Sequence, residues 1–286
     1  MARIQPWFAH APNIELVDQL SAHTPSHVPT VVRCMVAASH TRKPLYSVVV
    51  GSSNGSVHVW TLAANSRSLA TDKPRHCVFS ESGTGVIDAV AFDPNSNLVF
   101  SASDTSIHIF DLRSRRKLRS LYKRQPAVRA ILLLPPAPDG TNRLASINSS
   151  STITIWNIMT GQEIASLAPP IDGTAVYRDA CHNGNMLALL CGNRCLLWDL
   201  SVSPPTCFPI STSSLNIEQC FIDGTNLLLV SRLIYVCYDI SRPMQPLRTH
   251  KQTLVLGNPL AYRNRCFAAI VDRRINIIAT TYKVPY

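Results

Sequence analysis

The sequence predicts an all-β fold built from six repeated antiparallel sheets, and three observations carry that expectation. First, six short β-branched runs each end in an aromatic or apolar anchor followed by a turn. Clear copies are Ser56–Trp60 (SVHVW), Ser106–Asp111 (SIHIFD) and Ser151–Asn157 (STITIWN). Weaker copies are Cys195–Asp199 (CLLWD), Tyr235–Asp239 (YVCYD) and Ile275–Ile278 (INII). Second, the anchors Trp60, Phe110, Trp156, Trp198, Tyr238 and Ile278 are 50, 46, 42, 40 and 40 residues apart. Third, the 20 prolines fall mostly between the runs, where a missing N–H does not interrupt a ladder, and no capped stretch of helical period stands out. A repeat of about 40–45 residues closing in Trp-Asp is the pattern of a propeller blade.

Taken in order, the first repeat uses Val31–Ala37, Tyr46–Val50 and Ser56–Trp60 as strands. The second is the most legible. Val86–Phe92 is apolar, Asp93–Asn97 is a turn cluster, Leu98–Ala102 is a strand and Ser103–Thr105 a tight turn. Ser106–Phe110 follows with Ile107 and Ile109 alternating, then Lys117–Leu121 as an outer strand. The third repeat reads as Val128–Leu133, Arg143–Ile147 and Ser151–Trp156, and the fourth as Ala175–Ala180, Met186–Leu190 and Cys195–Trp198. The fifth reads as Asn216–Phe221, Leu227–Val230 and Leu233–Tyr238, and the sixth as Leu260–Tyr262, Cys266–Val271 and Ile275–Ala279. The expected organisation is one domain over 1–286. Residues 1–13 form an N-terminal extension, and residues 14–20 form a closing strand that pairs beside Ile275–Ala279.

These residues resemble the WD40-repeat β-propeller family across nearly the whole chain. The carriers are Trp60, Phe110-Asp111, Trp156-Asn157, Trp198-Asp199, Tyr238-Asp239, the run Ser101–Asp104 and the period. Two features depart from the family pattern. Its Gly-His pair survives only as echoes at Leu20–His23 and Leu247–His250, and its tight-turn Asp persists at Asp104. Elsewhere that Asp is replaced by Asn54, Ser149 or Ser150, Asn193 and Arg232. The resemblance implies a scaffold that displays loops rather than an enzyme. Six blades are countable where seven is commoner in the family, and the ring is either closed or left open for a partner's strand.

Composition narrows the function classes. Hydrophobic residues make up 46% of the 286, enough for a large core. Charged residues are only 15%, so much of the surface is Ser, Thr, Asn and apolar groups, as suits a subunit of an assembly. A net charge of +10 favours acidic partners such as nucleic acid, ribosome or an acidic protein. The nine Cys are odd in number and lie mostly in apolar runs, which reads as reduced core thiols, and the opening residues show no secretory h-region. No apolar stretch is long enough for a transmembrane helix. The expected location is the cytoplasm or nucleus.

Catalytic and cofactor signals are weak. Gly51–Gly55 (GSSNG) matches G-x-S-x-G, but it lies between two strands and contains Asn-Gly, the favoured hairpin turn. Cys181, His182, Cys191 and Cys195 fall in one repeat without the paired knuckle spacing of a zinc site, and Cys191 and Cys195 are expected to face each other across a hairpin. His58 and His108 occupy one repeat position, two before the anchor, which points to hydrogen bonding within a blade. No phosphate-cradling glycine loop is present, and no cofactor, metal or small-molecule substrate is implied.

The strongest functional signal is basic. Arg113, Arg115, Arg116, Lys117, Arg119, Lys123 and Arg124 fall within twelve residues. Loops after the third strand share an end with loops joining the first and second strands, so Arg42, Lys43, Arg143, Arg263 and Arg265 are expected to join the first four on one face. The expected role is a non-enzymatic interaction scaffold in a larger assembly, with other proteins as partners. The alternative is a ribosome- or RNA-associated propeller docking through the same face, by phosphate neutralisation.

Overall fold

The computed structural model describes residues 32–39, 45–63, 75–80, 85–104, 106–122, 126–170, 176–210, 212, 216–223, 225–231, 234–240, 246–251, 259–263, 266–271 and 274–279. Every element among them is a strand, and no helix there is long and apolar enough to cross a membrane. The chain divides into two compact units, Met1–Leu167 and Ala168–Tyr286.

The first unit holds three four-stranded antiparallel sheets. The first is β1 (Val32–Ser39), β2 (Leu45–Ser52), β3 (Ser56–Ala63) and β4 (Arg75–Ser80). The second is β5 (Ile87–Asp93), β6 (Leu98–Ser103), β7 (Ser106–Asp111) and β8 (Arg116–Tyr122). The third is β9 (Val128–Leu134), β10 (Arg143–Asn148), β11 (Ile153–Asn157) and β12 (Glu163–Leu167). In the second unit, β13 (Tyr177–Asn183), β14 (Met186–Cys191), β15 (Arg194–Asp199) and β16 (Thr206–Ile210) form one sheet. The next is β17 (Gln219–Asp223), β18 (Asn226–Val230), β19 (Ile234–Asp239) and β20 (Pro246–Lys251). The last has three strands among the described residues: β21 (Pro259–Arg263), β22 (Cys266–Val271) and β23 (Arg274–Ala279). Residues 1–13 and the expected closing strand at 14–20 lie outside the described residues.

Within each sheet the strands pair in chain order, and successive sheets of a unit stack face to face. The middle strands of the second sheet, which lies between the first and the third, are therefore buried on both faces. Every residue of β10 is buried, as are Val99–Ser103 and Ile107–Phe110. This explains why these runs read as continuous β-branched stretches rather than strict alternation. Alternation decides which neighbour each side chain meets. Phe92, Val99 and Phe110 pack back on Val49, Val57, Val59 and Phe79 of the first sheet. Phe100, Ala102, Ile107 and Ile109 pack forward on Ile131, Leu144 and Trp156 of the third. The Phe79 and Phe110 rings stack with centroids 4.7 Å apart. In the second unit, Leu190, Cys195 and Leu197 meet Cys220, Leu227, Val236 and Tyr238.

Polar groups inside these cores follow a register rule. In the third sheet Trp156 lies opposite Leu144, and its Nε1–H donates to Ser146 Oγ, two residues on, at 2.8 Å. In the first and fourth sheets that position is Val50 and Leu189, and the buried Nε1–H groups of Trp60 and Trp198 have no partner. The second sheet has the reverse mismatch: Ser101 stands ready, but Phe110 has no N–H to offer, and the Ser101 hydroxyl is unpartnered. The two repeat histidines act within blades as expected. His58 bonds Ser56 Oγ at 2.8 Å and His76 at 3.2 Å, stacking beside Trp60, and His108 bonds Ser103 at 3.4 Å and Ser120 at 2.9 Å.

Most inner strands lie where the sequence places them, with end shifts that have local causes. The third-repeat strand expected from Ser151 begins at Ile153, because Asn148 Oδ1 accepts the N–H groups of Ser150 and Thr152, and Ser151 turns at φ 63°. The fourth-repeat strand runs past Ala180, since Cys181, His182 and Asn183 continue the ladder opposite Ala188, Leu187 and Met186. Gly51–Gly55 is a hairpin turn: Gly55, at φ 81°, donates to Ser52 O at 3.3 Å. Cys191 and Cys195 do not face each other. The register sets Arg194 opposite Cys191 and Leu190 opposite Cys195.

Asp179 ties β13 to β17: its Oδ2 accepts the Cys220 N–H at 2.9 Å. Burial pushes its carboxyl from 3.8 up to about 6, against the lowering effect of the Cys220 and Ala180 hydrogen bonds.

Two expectations follow. Ser146→Ala orphans the Trp156 N–H and should cost about 1–3 kcal/mol in urea unfolding, whereas Ser101→Ala removes an unpartnered hydroxyl and should cost less than about 0.5 kcal/mol; equal costs refute the register rule. A carboxyl whose folded pKa is raised binds its proton more tightly in the native state, so its contribution favours folding below pH ~4 and is lost as pH rises through about 6. Asp179→Asn should therefore add up to about 3 kcal/mol at neutral pH and flatten the pH 4–6 dependence of unfolding relative to the parent. An unchanged difference across that window refutes it.

Candidate interaction surface

The turn from β7 into β8 is built by its anchor pair. Phe110 is buried, and Asp111 beside it accepts the N–H of Arg113 at 2.8 Å and of Ser114 at 3.3 Å. The same device recurs. Asn157 Oδ1 accepts from Met159 and Thr160, and Asp199 Oδ1 accepts from Ser201. This is the physical content of the acidic or amide residue after Phe110, Trp156 and Trp198: a side-chain oxygen closes the turn that the strand end opens. One residue further on, a backbone bond ties the turn to the loop before the second strand. Leu112 donates to Asn97 O at 3.0 Å, Ile158 to Asn142 O at 3.0 Å, Leu200 to Asn185 O at 2.9 Å and Ile240 to Thr225 O at 2.7 Å. The two loop types therefore share one end of each of these four sheets, as the sequence suggests.

Arg113, Ser114, Arg115, Arg116 and Lys117 are all exposed on this turn and the start of β8. Arg115 sits at φ 57°, a left-handed conformation that costs a non-glycine residue about 1 kcal/mol and is held by the Asp111 cap. The Asp111 carboxyl lies below the usual carboxylate range, through the Ser114 hydroxyl first and then the Arg113 and Ser114 N–H groups and the Arg113 charge. The cap is therefore ionised throughout the neutral range. Burial raises the Cys77 thiol on β4, and the Arg115 charge works against it.

The other expected members of the face are placed differently. Arg143 is buried at 8% exposure, and its Nε and Nη2 donate to Pro135 O at 3.2 and 3.1 Å. It clamps the β9–β10 loop instead of meeting a partner, because its position falls on a fully buried middle strand. Arg42, Lys43 and Arg265 lie outside the described residues, and Arg263 is described only as the last residue of β21. The structure thus gathers Arg113, Arg115, Arg116 and Lys117 from one sheet. The anchors Trp60, Trp156, Trp198 and Tyr238 are buried as structural elements, and Asp104 is exposed in the β6–β7 turn at φ 48° with its carbonyl accepting the Val128 N–H.

Sequence reasoning missed the apolar surface beside these cations. Leu118 is 54% and Tyr122 67% exposed on β8, and Met159 is 64% exposed on the β11–β12 turn. Nothing in a seven-residue strand of mixed composition signals this; it emerges once Leu121 is seen to take the buried position.

Chemistry elsewhere is limited. Burial pushes the Cys195 and Cys220 thiols well up, so both stay protonated at neutral pH, whereas the thiolate is the nucleophile and metal ligand. Among the described residues no three His, Cys, Asp or Glu side chains come together to hold a metal ion.

The WD domain, G-beta repeat family model matches residues 75–111, from β4 through β7. The solved structure of U3-55K is 12% identical, with 87% of this chain and 80% of that chain covered and a TM-score of 0.64. The crystal structure of the RRP9 WD40 repeats is 12% identical, with 87% and 79% covered and a TM-score of 0.65. No curated protein sequence matches the chain. A WD40-repeat match over 75–111, flanked by sheets of the same build with the same anchor turns, and the likeness to these two structures show the β-propeller fold of WD40-repeat proteins.

Proposed function

We propose that this chain is a non-enzymatic interaction scaffold, a propeller subunit of a larger intracellular assembly, and that the capped turn Arg113–Lys117 engages an acidic protein partner. The observation that carries this is the exposure of four cations within five residues on a turn held rigid by Asp111 and by the Leu112–Asn97 bond. A rigid display loses little conformational entropy on binding, which is how a fixed sheet turns a loop into a recognition element. The fold is one whose members characteristically bind proteins rather than transform small molecules. The cytoplasm is the proposed location, with the nucleus as the alternative.

The same cations favour a second reading, in which the turn neutralises phosphates of ribosomal or other RNA. Purification of the tagged chain from its native cells, at low and high salt and with and without RNase, separates the two. A stoichiometric protein set that persists through both treatments supports the scaffold. Association that disappears with RNase and falls steeply with salt replaces it with the RNA reading.

Two variants locate the contact. Reversing Arg113, Arg115 and Arg116 to Glu should weaken capture about tenfold or more, as for charges that steer and hold a complementary partner. Asp111→Ala keeps every cation but releases the turn; it should cost the fold no more than about 1 kcal/mol while still weakening capture several-fold. Capture unaffected by either variant removes the turn from the interface.

A further inference from the structure

We infer that β8 is a docking strand, whose open edge accepts an extended acidic-apolar segment of a partner protein as a fifth strand of the second sheet. The inference rests on the scaffold reading above and specifies what the partner looks like.

β8 is the last strand of the order β5-β6-β7-β8, so among the described residues no further strand pairs along the far side of Arg119–Tyr122. Its seven residues span about 23 Å, ample for a peptide ladder. An open edge of this kind is a template for added strands unless it is defended. Charge is one defence, and Arg116 and Lys117 supply it at one end. Defence by charge alone does not account for Leu118 and Tyr122, which leave large apolar groups 54% and 67% exposed on the same strand. Nor does it account for Arg at four of the five cations from Arg113 to Arg119, a residue type enriched at protein contacts, where Lys would repel an incoming strand as well.

The chain itself covers the other side of β8. Gly161, at φ 77°, lets the β11–β12 turn approach so closely that a Cβ there would lie 3.2 Å from Leu121 Cδ2 and 3.3 Å from Arg119 Nη1. Arg119 and Leu121 are thus occupied, while Leu118 and Tyr122 remain open. Leu118 is the extra residue where the β7–β8 register shifts, between Ile109↔Arg119 and Phe110↔Lys117. The regular ladder for an incoming strand is therefore Arg119–Tyr122, with the apolar groups of the segment over Leu118 and Tyr122. Its carboxylates then lie toward Arg113, Arg115 and Arg116.

Other outer strands with described side chains lack this combination. β16 carries Pro209, which has no N–H to give, and β12 begins with Glu163 and holds no cation. RNA fits less well. Phosphates would use the cations but leave Leu118 without a role, and Tyr122 offers a stacking platform for a single base.

The test uses the full chain and a labelled synthetic peptide of alternating Glu and Val, about as long as β8. Controls are a peptide with Lys for Glu and one with Pro at alternate positions. Binding is read by fluorescence anisotropy and by amide hydrogen exchange across 116–122. The acidic peptide should bind and slow exchange of the β8 amides that face away from β7, and neither control should do so. Leu118→Ser with Tyr122→Ser, both at exposed positions, should weaken binding about five- to tenfold while leaving the circular dichroism unchanged. Reversal of Arg113, Arg115 and Arg116 should weaken it by more than about tenfold and remove its salt dependence.

Several outcomes overturn the inference. One is binding without protection of β8, another is equal binding of the proline peptide, and a third is no binding at all. A fourth is an oligouridine that binds more tightly than the peptide and ignores the Leu118 and Tyr122 changes, which makes the patch a nucleic-acid contact. If the charge reversal still dissolves the native assembly while β8 exchange never changes, the scaffold reading stands and the docking strand falls.

Discussion

Burial of the middle strands of the sheets, seen among the described residues in β6, β7 and β10, is the constraint on which the rest of this structure depends. Nearly all of β6 and β7 and every residue of β10 are buried, so these strands can carry apolar groups at consecutive positions. Each Ile, Phe or Trp so placed contributes on the order of 1.5–3 kcal/mol. The same enclosure penalises any polar atom without a partner. The exceptions are therefore informative. Trp156 and Ser146 form a complete pair, while Trp60, Trp198 and Ser101 are each half of that pair with the other half replaced.

Enclosure also separates cations that look alike along the chain. Arg143 opens a middle strand and is drawn inward onto the Pro135 carbonyl. Arg113, Arg115 and Arg116 follow a strand end, where Asp111 closes the turn and leaves the guanidinium groups in water. The inner strands thus carry the buried core, and the turn and outer strand leave their cations at the surface. A rigid inner ladder lets the turn hold Arg115 in a left-handed conformation that a free peptide would rarely populate.

Charge and apolar surface are combined at β8 in a way that neither alone would justify. Cations on an edge strand repel other sheets with like charge and attract acidic chains, so one feature serves both selectivity and solubility. The exposed Leu118 and Tyr122 add an attraction that salt does not screen. That combination distinguishes a protein contact from a purely electrostatic one. It fits a chain whose net charge is +10 but whose charged fraction is only 15%.

The amino-acid sequence by itself determined the repeat, the anchors and the inner strands. A short apolar run closed by an anchor and turn residues is a local signal, and each of the six runs from Ser56–Trp60 to Ile275–Ile278 carries it. It also exposed the cationic run, because charge density needs no coordinates. The outer strands β4, β12 and β16 were not legible, since half-exposed strands such as Glu163–Leu167 lack a hydrophobic period. Tertiary structure alone decided which arginines face water. It turned Arg143 onto a carbonyl, set Leu190 rather than Cys191 opposite Cys195, and left Leu118 and Tyr122 uncovered. Those outcomes depend on which sheet packs against which face, a relation between residues far apart in the chain that no local pattern encodes.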